Sequence, residues 1–381
     1  MTLYLDNAAS SHPKPETVYQ AVNEALRNIG ANPGRSGHRL AVKADQVIAR
    51  TRKTLARLFD IEDSRRIVFT ANATEAINLG LKGLLKTGDH VITSSMEHNS
   101  VVRPLRFLET QGVEVTFVLC SSLGLIEVEE IEKAVRKNTR LIVLTHASNV
   151  TGGLMPIEEV AALSRRQGLL FMVDAAQTAG LVPLSVNRMG IDLLAAPGHK
   201  GLLGPQGTGF LYIGPNIFLR PLKEGGTGSQ SELETQPDFL PDRMESGTLN
   251  TPGLAGLGAG VEFILSQGVE KIREKEITLS RMVWEELNKN PKVQLYGPER
   301  AEERTSPLSF NIRGLNPSAA ASILDTAYDI AVRAGLHCAA LAHRTLGTLP
   351  EGTIRVSPGF FNSEEDIEFF LEALTAICKK V

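Results

Sequence analysis

The chain reads as an α/β fold: a large domain on a mostly parallel seven-stranded sheet, joined to a smaller α+β domain. Three observations predict this. Near-continuous apolar runs of strand length alternate with helical patterns from about residue 66 to 213, a Gly/Ser-rich stretch at 224–231 ends that rhythm, and short strands with a long terminal helix follow. Strands apolar on both faces belong to parallel sheets covered by helices on either side. A chain of 381 residues can bury the cores of two domains. We expect residues 15–253 in the large domain, and 1–14 together with 254–381 in the small one.

The strands of the large sheet are expected at 66–70, 90–94, 113–119, 141–145, 169–173, 193–195 and 209–213. Helical patterns lie between them from 74, from 99, at 128–135 and at 157–166. Beyond 231 a long helical region covers 254–288. Short strands follow at 293–296, 308–312, 330–333 and 353–356, with a last helix at 363–379. In open α/β sheets ligands lie at the carboxyl ends of the strands, so the residues just after each strand carry the most information.

Composition narrows the partners. A net charge of −3 gives nucleic acid and anionic membranes no electrostatic hold, and five Tyr with one Trp leave little for base stacking. No apolar run reaches the roughly 20 residues of a membrane-spanning helix, and the start Met-Thr-Leu-Tyr-Leu-Asp lacks the pattern of a secretory signal. Cys120, Cys338 and Cys378, with no CxxC, fit neither a disulfide framework nor a zinc site. A soluble, cytoplasmic protein is expected, with neither nucleic acid nor membrane as partner.

Lys200 follows an apolar strand and sits among glycines in Ala-Pro197-Gly198-His199-Lys200-Gly-Leu-Leu-Gly. A desolvated lysine has a lowered pKa, and its neutral amine can form a Schiff base. Asp174 ends another apolar strand in Val173-Asp174-Ala-Ala-Gln177. Together they suit pyridoxal phosphate, Asp174 facing the ring nitrogen and Lys200 the aldehyde. The junction Thr70-Ala-Asn-Ala73-Thr74 offers backbone N–H groups and a hydroxyl for a phosphate. His98 can stack on a flat ring, Asn149 can bond a cofactor oxygen or a substrate carboxylate, and Gln177 can reach a ring hydroxyl. Each also has an ordinary reading, as a surface lysine, a helix cap, a solvated histidine or a turn residue. Their occurrence at successive strand ends favours the site.

The runs Leu5-Asp-Asn-Ala8-Ala9, Glu97-His98-Asn99, Ser148-Asn149-Val150, Val173-Asp174-Ala-Ala-Gln177 and Gly198-His199-Lys200 resemble the class V aminotransferase family of fold-type I pyridoxal-phosphate enzymes. The segment Arg333-Ala-Gly-Leu-His-Cys338-Ala-Ala is similar to the motif of group II cysteine desulfurases. The resemblance implies that Lys200 holds the cofactor covalently and that Asp174 keeps the ring nitrogen protonated. Gln177 would contact the ring hydroxyl, His98 the ring face, and Thr74 with Ala73 and His199 the phosphate. Thr248 would reach the phosphate of a neighbouring subunit, implying a homodimer, with Gly225 and Gly226 at the mouth of the shared site. Arg355 would pair with the substrate carboxylate, with Ala8, Asn149, Arg333 and His38 bordering the same pocket.

Cys338 would attack the sulfur of bound L-cysteine, releasing alanine and leaving a persulfide for an acceptor protein in cluster or cofactor assembly. Protonated His337 is the cation expected to lower its pKa; a buried structural cysteine is the other reading. The chain departs from the family in three places, one of them the segment between Cys338 and Arg355, which is unlike the commonest group II pattern. Pro197 stands where many relatives carry Ser or Thr, and Leu336 where the motif has a second His. Alternatives are a selenocysteine lyase, another class V aminotransferase, lyase or epimerase with an incidental Cys338, and a sulfur-relay scaffold without turnover.

Overall fold

A computed structural model describes residues 2–34 and 37–381. Thirteen strands are found among them. The first, β1 (Leu3–Tyr4), stands apart from β2 (Ile67–Thr70), β3 (His90–Ser94), β4 (Glu114–Val118), β5 (Thr139–Thr145), β6 (Leu170–Asp174), β7 (Leu193–Pro197) and β8 (Gly209–Ile213). Those seven form one sheet in the order β2-β8-β7-β6-β5-β3-β4. Every pair from β7 to β4 is parallel, and only β8 runs against its neighbours. The mostly parallel seven-stranded sheet expected from the sequence is therefore present. The central strands β5 to β8 are buried along nearly their whole length, whereas edge strand β4 is partly exposed. This explains why the central strands read as unbroken apolar runs.

Four more strands, β9 (Val293–Tyr296), β10 (Leu308–Ile312), β12 (Arg333–Gly335) and β13 (Thr353–Val356), form an antiparallel sheet, and β11 (Ile330–Ala331) pairs in parallel with β1. The single strand expected at 330–333 is thus two short ones serving different sheets. The final helix Glu364–Lys380 opens on a reciprocal cap. Ser363 Oγ accepts from Asp366 N at 3.2 Å, and Asp366 Oδ2 accepts from Ser363 N at 3.1 Å.

The long helical region expected at 254–288 is broken. Helix Thr251–Gln267 ends at Gly268, whose φ of +87° an L-residue adopts only under strain, and a second helix, Val269–Asn288, starts there. The two cores divide within the second helix, whose Ile272 still packs with the large sheet. Leu254, Leu257, Val261 and Ile264 pack with the large sheet, while Leu279, Val283 and Leu287 pack with β10, β13 and the terminal helix. By hydrophobic contact, the change of core falls between Ile272 and Leu279. Leu3 and Leu5 also join the smaller core, so the chain starts there and then crosses to the large sheet. Among the described residues no helix is long and apolar enough to cross a membrane.

Candidate active site

The carboxyl ends of β3, β5, β6 and β7 open into a cleft of about 220 Å³, closed on one side by β12, β13 and residues 8–9. Asp174 ends β6 level with Thr145 of β5 and Ala195 of β7. It is 2 % exposed, its Oδ1 accepts from Ala176 N at 2.9 Å, and burial raises its pKa while Lys200 opposes the rise. Lys200 lies in the turn after β7. Burial lowers its pKa to about 8 against the opposing pull of Asp174, with Arg355 and Arg333 adding to the fall. Gly198 permits this turn: a Cβ there would clash with Thr208 Oγ1.

His98 caps helix Asn99–Glu109. Its Nδ1 accepts from Ser100 N at 3.0 Å, so the neutral ring carries its proton on Nε2. Burial, followed by the charge of Lys200, lowers its pKa to about 4. Ser100 Oγ also lies 2.7 Å from Thr74 Oγ1, tying the His98 turn to the start of helix Ala73–Leu84. That helix start faces the cleft with Thr74 beside it, as an anion site requires. Gln177 donates to Ala8 O at 3.2 Å, and Asn149 Nδ2 donates to His337 O at 2.7 Å. The expected groups at Ala8, Ala73, Thr74, His98, Asn149, Asp174, Gln177, His199, Lys200, Arg333 and Arg355 all line this one cleft.

Cys338 is exposed, and its Sγ lies 3.6 Å from Arg333 Nη2. His337 and Cys338 both adopt left-handed backbone, at φ 48° and 58°. Consecutive non-glycine residues hold such angles only where other contacts impose them. Here Asn99 N donates to Cys338 O at 2.8 Å, and Asn149 grips His337 O. His337 corrects the expectation of a cation beside the thiol: it is 2 % exposed, with Nε2 3.1 Å from Thr353 O, and burial lowers its pKa to about 2. The cation facing the thiol is Arg333.

His38 is a second correction. It is exposed, does not line the cleft, and accepts from Ala41 N at 3.2 Å as the cap of helix Arg39–Leu58. Thr248 lines a separate cleft with Thr70 and Lys223, and Gly225 and Gly226 lie on an exposed loop. None of these three belongs to the Lys200 cleft of the same chain.

Two carboxylates went unassigned in the sequence. Asp6 pairs with Arg355 at 2.6 Å. Glu97 is fully buried, accepting from Ser94 Oγ at 2.6 Å and from Thr145 N at 3.1 and 3.0 Å through its two oxygens. It thereby bolts the turn that carries His98 onto β5. Burial raises its pKa to about 8, so folding takes up a proton between the unfolded value of 4.5 and 8. Stability from this group is therefore greatest at low pH and is lost as pH rises through that window. Glu97→Gln, which mimics the protonated acid, should gain roughly 1–2 kcal/mol on wild type between about pH 6 and pH 8. Denaturant unfolding of both proteins at the two pH values checks this.

These donors fit pyridoxal phosphate. Lysine amine and buried carboxylate line the same cleft from the ends of adjacent strands, a helix start and Thr74 suit a phosphate, and His199 Nδ1 is buried in the wall with no protein partner among the described residues. Fold and site together define an α/β protein with one cleft at the carboxyl ends of its parallel strands, lined by a buried lysine and a buried carboxylate. A family model described as Aminotransferase class-V matches residues 3–370, and the chain belongs to that family, whose members depend on pyridoxal phosphate in general. The chain is 35 % identical to a probable cysteine desulfurase of Methanothermobacter thermautotrophicus, over 98 % of this chain and 94 % of that one. It is 36 % identical to another from Pyrococcus abyssi, over 100 % and 95 %. Among solved structures, the apo cysteine desulfurase of Thermococcus onnurineus superposes with a TM-score of 0.94 at 34 % identity, covering 100 % of this chain and 95 % of that one.

Proposed function

We propose that this protein is a pyridoxal-phosphate-dependent cysteine desulfurase, converting L-cysteine to L-alanine and passing the sulfur through Cys338 to an acceptor protein. The observation that carries the reading is the exposed Cys338 thiol. It is held beside Arg333 at the edge of a cleft containing Lys200, Asp174 and Arg355. Its relatives named cysteine desulfurase support the same substrate.

Lys200 would hold the cofactor through its neutral amine, Asp174 would serve the ring nitrogen, and His98 the ring. The helix start at Ala73 and Thr74, with His199, would hold the phosphate, and Gln177 would serve the ring hydroxyl. The bound cofactor supplies an electron sink, which allows the substrate Cα to lose its proton and loosens the bond from Cβ to sulfur. Arg355 anchors the substrate carboxylate in a charge-assisted contact. The neutral amine of Lys200 would be the base at Cα. The Cys338 thiolate forms a bond to the substrate sulfur as the Cβ–S bond breaks, the electron pair passes to Cβ, and a proton there, with the proton returned from Lys200 to Cα, completes alanine. Cys338 is left as a persulfide. Arg333 Nη2, 3.6 Å from the Cys338 sulfur, holds the attacking atom at the cleft edge.

Thr248 and the Gly225–Gly226 loop lie outside the chain's own cleft, where they can serve the cleft of a second copy, so the reading includes a homodimer. Three free cysteines, one of them exposed, support a reducing, cytoplasmic setting.

With a thiol reductant present, purified wild type should release alanine from L-cysteine. Cys338→Ala should lose at least about a hundredfold of that activity while keeping the visible absorbance of its cofactor. Full alanine release by the variant would remove Cys338 from the chemistry and leave another class V reaction in its place.

A further inference from the structure

Arg355, the residue assigned to the substrate carboxylate, is already paired inside the chain. It is 1 % exposed. Its Nη2 donates to Asp6 Oδ1 at 2.6 Å and its Nη1 to Asn149 O at 3.0 Å, while Nε has no protein partner among the described residues. Arg355 lines the cleft, and Asp6 holds its guanidinium from the neighbouring segment 5–8. The backbone fixes it there. Ser357 N donates to Leu5 O at 2.7 Å, Asn7 N to Ser357 O at 3.2 Å, and Ala8 N to Ser357 Oγ at 3.0 Å, stitching residues 5–8 to the end of β13. The register of β12 and β13 sets Arg333 opposite Arg355. This wall of the cleft thus holds two guanidinium groups and one resident carboxylate, leaving one positive charge for one incoming carboxylate.

Resting on the assignment of Arg355 above, we propose that Asp6 is a positioning residue that sets how tightly the amino-acid carboxylate is held. It orients the guanidinium and neutralises part of its charge, so that substrate enters and alanine leaves without being trapped on a bare buried cation. Two effects then act in the same direction when the Asp6 charge is removed. The like-charge repulsion between Asp6 and the substrate carboxylate disappears, and Arg355 is left needing a counter-ion that only the ligand supplies.

The test uses the cofactor-loaded enzyme, titrated with L-alanine and followed by the visible absorbance of the cofactor. Ethylamine, which offers the amine without the carboxylate, is the control. For Asp6→Asn the Kd of L-alanine and the KM of L-cysteine should fall about tenfold, with kcat changing less, and ethylamine binding should not tighten. Asp6→Glu, which keeps the charge and crowds the guanidinium, should weaken alanine binding. An Asp6→Asn protein whose alanine affinity is unchanged or weaker, whatever its Tm, would make the pair structural only and overturn the proposal. Should Asp6→Asn not fold, unchanged alanine affinity in Asp6→Glu overturns it equally. Arg355→Ala separates the two levels. If wild type favours alanine over ethylamine and Arg355→Ala erases that preference, the assignment of Arg355 stands whatever Asp6 does. If wild type shows no preference, the assignment and the proposal fall together.

Discussion

Lys200→Ala should fold, take up pyridoxal phosphate without a covalent bond, and lose at least about a thousandfold in alanine production. The structure gives the reason for so large an effect. Among the described residues Lys200 is the one lysine lining the cleft, and the burial that lowers its pKa to about 8 leaves a usable neutral fraction near neutral pH. A lysine with its ordinary value of 10.5 would be almost wholly protonated there. The same shift gives a pH dependence with a definite sign. Covalent capture of the cofactor by cofactor-free wild type needs the neutral amine. Its rate should climb about tenfold per pH unit below about 8 and flatten above it. Because the folded pKa is the lower one, the unfolded chain binds the extra proton between 8 and 10.5, so the stability of the cofactor-free protein from this group rises with pH across that window. Borohydride reduction followed by peptide mass measurement reads the capture directly. A pH-independent rate, or a borohydride-fixed cofactor in Lys200→Ala, would contradict the assignment of Lys200.

What the sequence discloses and what it hides divides along a physical line. The strands of the large sheet are legible because β5 to β8 are buried on both faces and so must be apolar at nearly every position. Lys200, Asp174 and His98 are legible because each lies at a strand end, where that architecture puts its ligands. Their supports are not. Asp6 meets Arg355 across 349 residues, and Glu97 meets Thr145 across 48, and no local pattern announces such a pair. His337 misled for the same reason. Beside an exposed cysteine a histidine reads as a cation, but its ring turns inward onto Thr353 and is held neutral. The break at Gly268 was hidden by good helix formers on both sides, which make one glycine look like a tolerated interruption.

The largest loss of stability should come from a pair equally remote in sequence. Arg52 and Glu245 meet across 193 residues in two parallel hydrogen bonds of 2.8 Å, with side chains only 8 % and 6 % exposed. Arg52 also donates to Ile67 O and lies over the Phe69 ring at 4.5 Å, while Glu245 accepts from Phe69 N at 2.6 Å. The pair therefore ties helix Arg39–Leu58 and the chain before Thr248 to edge strand β2, where ladder bonds come from β8 alone. Arg52→Ala leaves a buried carboxylate without its cation, which costs about 3–5 kcal/mol. Replacing both residues, Arg52→Met with Glu245→Leu, should recover only part of this, because Phe69 N and Ile67 O then lose their side-chain partners. Denaturant midpoints of the two variants test that order. Glu245 immediately precedes Ser246-Gly247-Thr248, so the single variant should also loosen the segment assigned to the second copy's phosphate site. Its cofactor dissociation should then be faster than wild type even where the protein is fully folded. Loss of stability with an unchanged cofactor off-rate would confine Arg52 to the core and remove one support from the reading of Thr248.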